Sequence, residues 1–309
     1  MKISKFVRIF IVLGLLTLSA AACELPFSPP STLDAVQQLA QTQMALSATQ
    51  TSLAPAPTET APPATAEPTQ DISQTQDEPA AGTTRYTFGH FQFDMPDYLA
   101  QSLNYTIVPA AMGGEESFPG DTHPEYLSIT FNGYIIQDAF HNPEIQVYPV
   151  AEFKSISQGA ADKLDALNNL LGSRPPSIPF NMVLPFLPFW NAGQIFNAQA
   201  KFLDSPSGSG IRYLSMYAQA IYPVDNYNIF FTYQGFSADK TYFVSMVLPI
   251  NSAALPMQAA TPADYEAFMN DFSNYLQITS AALNAEAPDR FTPSLNALDA
   301  MIASIRFIP

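Results

Sequence analysis

The sequence predicts an α+β domain over residues 85–309, an antiparallel β-sheet with helices packed on it. Three observations lead there. The large aromatic side chains are concentrated in this part: 20 of the 23 Phe, all 14 Tyr and Trp190 lie beyond residue 84. Short β-branched and aromatic runs recur between Pro, Gly and Asn residues, which is the spacing of sheet strands and their turns. Stretches of helical period are interspersed among these runs, so the architecture is an antiparallel sheet with helices packed on it.

The elements follow in order. Arg85–Asp94 reads as two short strands around Gly89-His90. Tyr105–Val108, Tyr126–Ile136 and Ile145–Val150 are β-rich runs with bounding turn residues. Residues 156–171 carry Ile156, Ala160, Leu164, Leu167 and Leu171 at helical spacing, and Gly172 is placed to close that helix. In Gln194–Leu203, Phe196, Ala198, Ala200 and Phe202 fall on one face and Asn197, Gln199 and Lys201 on the other, the pattern of a strand with one wet side. Ser205–Gly210 turns the chain into Ile211–Ile221. Ile229–Phe236 and Thr241–Pro249 form a further hairpin through Ser237–Lys240. Thr261-Pro262 predicts the start of a helix, a cap residue followed by proline at the first position. Its stripe is Tyr265, Phe268, Met269, Phe272, Tyr275, Leu276 and Leu283. A short helix near 293–303 leads into Ser304–Ile308 as a last strand.

The N-terminal segment is organised differently. Lys2, Lys5 and Arg8 precede the apolar run Ile9–Leu18 and the small residues Ser19–Ala22, the order of a signal peptide over residues 1–22. The apolar run falls short of the roughly 20 residues that cross a bilayer. Cys23, the single cysteine, follows directly, and this arrangement resembles the bacterial lipobox. The resemblance implies that Cys23 becomes the mature N-terminus and carries diacylglycerol, which would place the protein outside the cytoplasm, lipid-anchored at a cell membrane or cell surface. Ala20 stands where the lipobox most often has Leu. Ala20-Ala21-Ala22 also satisfies an A-x-A site, whose use would release a soluble protein. No base or positive charge stands beside Cys23 in the sequence to activate its thiol.

From Glu24 to Thr84 there is no Lys or Arg, and Pro, Thr, Gln and Ala dominate. Such a composition has too little apolar surface to offset chain entropy, so residues 23–84 read as a disordered tether. As a flexible coil it would span about 45 Å. Within it, Leu39, Leu46 and Leu53 are seven apart, and residues 32–52 read either as a short coiled coil or as a transient helix.

Composition excludes several function classes. With Lys+Arg 12 against Asp+Glu 27 and a net charge of −15, the chain is no reader of a phosphate backbone, so no nucleic-acid partner is expected. One cysteine excludes a disulfide framework and a Cys-rich metal site. No G-x-S-x-G elbow, phosphate loop or H-E-x-x-H helix occurs, and no cofactor or catalytic set is assigned.

The candidate chemistry is sparse. Asp121, His123 and Glu125 could hold a divalent cation in an extended segment, or form an ordinary acidic loop. Asp138, His141 and Glu144 are spaced by three, but Asn142-Pro143 favours a turn. His90 is expected at an exposed hairpin tip. Glu115-Glu116 could act as paired carboxylates or be solvated in a Gly-rich loop. The apolar stretch Ile178–Trp190, with Pro179, Pro185 and Pro188, cannot form a regular helix or central strand. Its Phe186, Phe189 and Trp190 read either as the lip of a hydrophobic pocket or as a cover over one sheet face. Arg212 either binds an anionic ligand or pairs with an acid such as Asp204.

Two resemblances bear on the folded part. Leu187-Pro188, Asn191-Ala192 with Gln194, Gly208–Gly210 with Arg212-Tyr213, Tyr217–Gln219, Tyr233–Gly235 and Tyr242–Ser245 resemble an uncharacterised family of bacterial surface lipoproteins, over roughly residues 125–250. That resemblance implies no activity. The opening hairpin and Leu298–Phe307 resemble the PsbP-type α/β/α sandwich, which implies a fold rather than a chemistry. The expected function is a membrane-anchored, non-enzymatic binding or accessory module with an unknown protein or hydrophobic small-molecule partner. A carrier of hydrophobic ligands and a hydrolase using acidic residues remain open.

Overall fold

A computed structural model describes residues 79–114 and 117–308. The signal segment, Cys23, the 32–52 stretch, Glu115 and Glu116 lie outside the described residues. The elements are β1 (Thr83–Phe88), β2 (Phe91–Pro96), β3 (Ser102–Val108), β4 (Tyr126–Asn132), β5 (Glu144–Pro149), α1 (Val150–Ile156) and α2 (Gln158–Ser173). They continue with β6 (Gly193–Ser205), β7 (Gly208–Ala218), β8 (Phe230–Ser237), β9 (Tyr242–Pro249), β10 (Asn251–Ser252), α3 (Tyr265–Asn270) and α4 (Phe272–Ala285). β11 (Phe291–Thr292), α5 (Leu295–Ala303) and β12 (Arg306–Phe307) close the described chain. The class is α+β, as the sequence predicts.

Seven antiparallel strands form the main sheet in the order β3-β4-β5-β9-β8-β7-β6. β12 joins the hairpin β1-β2 in a small sheet, and β10 pairs with β11. Alternation along the central strands sends side chains to two cores. On one face, Phe231, Tyr233, Val244, Met246 and Leu248 meet Phe91 and Phe93 of β2, Leu276 and Leu283 of α4, and Leu298 and Ile302 of α5. On the other, Tyr148, Ile211, Tyr213, Phe236 and Phe243 meet Phe153 of α1 and Leu164, Leu167 and Leu170 of α2. Helices therefore cover both faces.

Local chemistry sets the helix ends. The Ser157 hydroxyl accepts from the Ala160 amide and starts α2, whose Ala160, Leu164, Leu167 and Leu170 are buried. Gly172 stays inside that helix, and the left-handed closing residue is Arg174, with φ 38° and its amide bonded to Leu170 O. The helix expected at Thr261-Pro262 is capped instead by Asp264, which accepts from Ala267 N at 2.9 Å. Tyr265 and Met269 of the anticipated stripe are exposed, and burial begins with Phe272 after a break at Asp271.

Two strands differ from the alternation read in the sequence. β4 stops at Asn132 because Gly133, at φ +62°, turns the chain, and Tyr134 then drops into the core to donate to the Pro249 carbonyl at 2.9 Å. In β6 a bulge inserts one residue between Ala198 and Lys201, with Gln199 at φ 53°. An added residue exchanges the two faces of everything after it. Phe196 and Ala198 therefore face the α4–α5 core while Ala200 and Phe202 face the α2 core. The side of β6 read as wet is closed at Asn197, which is 1% exposed.

Candidate functional site

The apolar segment 178–190 lies against the sheet face formed by Gln194, Asn197, Tyr213, Gln234 and Ser245, and its irregular backbone is held by their polar groups. Asn197 Nδ2 donates to the carbonyls of Pro179, Phe180 and Met182 at 2.8, 3.1 and 2.9 Å. Gln194 Oε1 accepts from Leu184 N at 2.9 Å, and Gln234 Oε1 accepts from Leu187 N at 3.0 Å. Ser245 donates to Leu187 O and Tyr213 to Pro185 O. Buried backbone groups need partners, and a proline-interrupted segment cannot supply its own. These side chains replace the missing ladder. The signal in the sequence was polar residues at inward positions of apolar strands, which alternation alone assigns to water.

The three aromatic residues singled out in this segment all pack inward. Phe186, 4% exposed, lies 4.7 Å from Trp190, 4.8 Å from Tyr217 and 5.9 Å from Phe230 between ring centroids. Phe189 rests on Gly159 of α2, where a Cβ would come within 3.0 Å of its ring. Trp190 is half-buried and stacks on His141.

Arg212, 3% exposed, points into the α5 side of the sheet. Its Nε donates to Asp299 Oδ1 at 2.9 Å, Lys201 Nζ lies 2.9 Å from the other carboxylate oxygen, and the guanidinium also donates to the Gln199 carbonyl. The expected partner Asp204 instead forms a two-pronged pair with Arg174, which holds the Asp204 carboxyl below its ordinary range. Alternation gives the reason: Arg212 pairs with Lys201 and Asp204 with Ser209, an odd number of residues apart on each strand, so Asp204 and Arg212 leave the hairpin from opposite faces.

The acidic and histidine sets do not converge. Asp121 accepts from the Phe118 amide, and His123 pairs backbone to backbone with Ala111 while its ring lies edge-on to Tyr126. Glu125 is exposed. Glu144 accepts from Ser128 at 2.6 Å on the sheet. His141 is packed among Trp190, Phe230 and Phe140, with centroids 4.6, 4.7 and 4.9 Å away, and burial pushes its pKa down to about 4 against a smaller opposing effect of a hydrogen bond to the Asn228 backbone. His90 is not an exposed tip: it stacks on Tyr242 at 4.1 Å, and burial lowers its pKa. Among the described residues no cluster of three or more His, Cys, Asp or Glu is placed to hold a metal ion. An open cleft of about 410 Å³ lies between the end of α2 and the hairpin turns, lined by Asn168, Asp204, Ser209, Phe236, Ser237 and Lys240 among others.

The surface best arranged for recognition is the outer edge of β3. β3 pairs with β4 in unbroken register from Ser102↔Asn132 to Val108↔Tyr126, and no described strand pairs with its other side. Tyr105 is 60% exposed and Ile107 50%, while Leu103 reaches the core rim. Tyr105 is braced by Phe88, 5.3 Å away between ring centroids. Residues 98–114 contain no charged side chain, and 102–108 no proline. The opposite edge, β6, has two bulges, bears Lys201 and Asp204, and is bonded by its Asn197 amide to Phe180 O. Proteins blunt open edges with such devices, and β3 has none of them. The sequence shows the strand at Tyr105–Val108 but gives no sign that it would stand outermost.

No protein-family model matches the chain, and no curated protein matches it either. Among the described residues no helix is long and apolar enough to cross a membrane.

Proposed function

We propose that the protein is a non-enzymatic binding module of the cell envelope, tethered to a membrane through lipid on Cys23 and engaging an extended polypeptide segment along the outer edge of β3. The observation that carries this reading is the contrast between the two edges of the main sheet: β6 is bulged, charged and strapped, whereas β3 is regular, uncharged and apolar on one side. An edge of that kind offers a row of backbone donors and acceptors, with Tyr105 and Ile107 supplying side-chain selectivity. A hydrophobic-ligand carrier has less support, because Phe186, Trp190 and their neighbours pack against one another in the space such a ligand would need. A hydrolase has less support, because Asp121 is taken up by the Phe118 amide and Glu125 is exposed, with no cluster of three or more acidic or histidine side chains gathered among the described residues.

A photoreactive benzoylphenylalanine at Tyr105 in the full chain, expressed in a bacterial envelope, tests the reading. A discrete polypeptide adduct is expected at position 105 and none at Ile278, an equally exposed site on α4. Absence of any adduct at 105 overturns the binding edge. Metabolic labelling with palmitate, lost in Cys23→Ser along with membrane fractionation, is expected for the anchor; unlabelled, soluble wild-type protein overturns it.

A further inference from the structure

This inference deepens the binding-edge reading and rests on it: the occupant of the edge is a second copy of the chain. We propose that two copies pair β3 to β3 in antiparallel fashion about a twofold axis through Tyr105, so that one sheet runs through both. The chain carries a net charge of −15, so two copies repel over most of their surfaces. The approach along β3 escapes this repulsion. Residues 98–114 carry no charge, and neither does the adjoining strand β4, Tyr126–Asn132.

The strand is also complementary to itself. Leu103, Tyr105 and Ile107 project to one side of the sheet and Asn104 and Thr106 to the other. Centred on Tyr105, antiparallel pairing sets Tyr105 opposite its own counterpart and Leu103 opposite the second copy's Ile107. Asn104 falls opposite Thr106 and Ser102 opposite Val108. Every cross-strand pair on the exposed apolar side is thus aromatic or aliphatic, the combination that stabilises antiparallel neighbours, and no pair sets like charges together. A contact in which the same patch serves both partners closes as a dimer and leaves no free edge for further addition, because the far edge β6 is blocked.

Sedimentation of the detergent-solubilised full chain tests the pairing. The wild type is expected to be dimeric, and Tyr105→Lys and Tyr105→Glu, each at an exposed position, are each expected to weaken association at least about tenfold. A residue on the twofold faces itself, so mixing the two variants brings Lys opposite Glu and is expected to restore a mixed dimer. Ile278→Lys is expected to leave association unchanged. In a second set, Asn104→Lys with Thr106→Glu in one chain is expected to tighten the dimer, and Asn104→Lys with Thr106→Lys to break it. Unchanged far-UV circular dichroism separates loss of pairing from loss of fold. A dimer that survives Tyr105→Lys overturns the proposal, as does a pair of variants that fails to form mixed dimers. A monomeric wild type also overturns it; in that case an adduct of another polypeptide at position 105 leaves the binding-edge reading standing, and no adduct removes both.

Discussion

His141 lies flat against Trp190, with ring centroids 4.6 Å apart and planes 11° from parallel. The imidazole Nε2 is buried without a hydrogen-bond partner in the structure. Burial makes the protonated form unfavourable and pushes the His141 pKa from 6.5 down to about 4. The arrangement places the single tryptophan of the chain directly beside a group that titrates.

A pH dependence follows. Between about pH 6.5 and 4 the unfolded chain holds a proton on His141 that the folded chain does not, so stability falls as pH drops through that window and is flat below it for this group. At 1.36 kcal/mol per unit, the shift to about 4 corresponds to about 3 kcal/mol. Urea titrations of the wild type and His141→Phe across pH 4 to 7 should show the slope diminished in the variant. Trp190 emission should be quenched as the imidazolium forms near pH 4 in the wild type alone.

Asp299→Ala should destabilise the fold by about 3–5 kcal/mol, because it leaves the buried Arg212 guanidinium without its carboxylate. Replacing both, as Arg212→Met with Asp299→Leu, should cost clearly less than the Asp299 change alone. Thermal midpoints of the wild type and of these two variants give the comparison. A double variant that loses as much as Asp299→Ala would sink the stranded-charge account of the loss.

Gln234→Leu removes the acceptor for Leu187 N and should cost about 1–3 kcal/mol for the stranded amide. The same change should loosen segment 178–190 locally. Limited proteolysis is expected to cut the variant within that segment before cutting elsewhere, and an unchanged cleavage pattern would show that Gln194, Asn197 and Ser245 suffice.

Phe186→Ala should cost about 3–5 kcal/mol, since the ring is almost fully buried among Trp190, Tyr217 and Phe230. Trp190 emission should shift to the red as water reaches the vacated space. A variant of native stability would show that the ring is not part of the core and would reopen the pocket reading.

The strand and helix periods in the sequence locate nearly every element, because each side chain's neighbours along the chain decide whether a period of two or of 3.6 buries the apolar set. They fail where one backbone torsion carries the information. Gln199 at φ 53° exchanges the faces of β6, and nothing in the side-chain pattern around it requires that. The partner of Arg212 is unreadable for another reason: Asp299 is brought to it by the docking of α5, 87 residues away. The position of β3 is a topological fact as well. Tyr105 and Ile107 have the composition of strand residues, and only the order of seven strands leaves them outermost. The cap at Asp264 rather than Thr261 is a smaller failure of the same kind, since both residue types can cap and geometry selects between them.

The small sheet joins the beginning of the folded region to its end. β2 acquires its second neighbour only from β12, and the Asp94 amide bonds to the Ser304 hydroxyl, 210 residues later. During synthesis, then, the first hairpin waits for nearly the whole of the domain before its exposed phenylalanines are covered. Contacts so distant in sequence form late and slowly. The small sheet of a growing chain therefore stays one strand short until the last residues of the domain have been made.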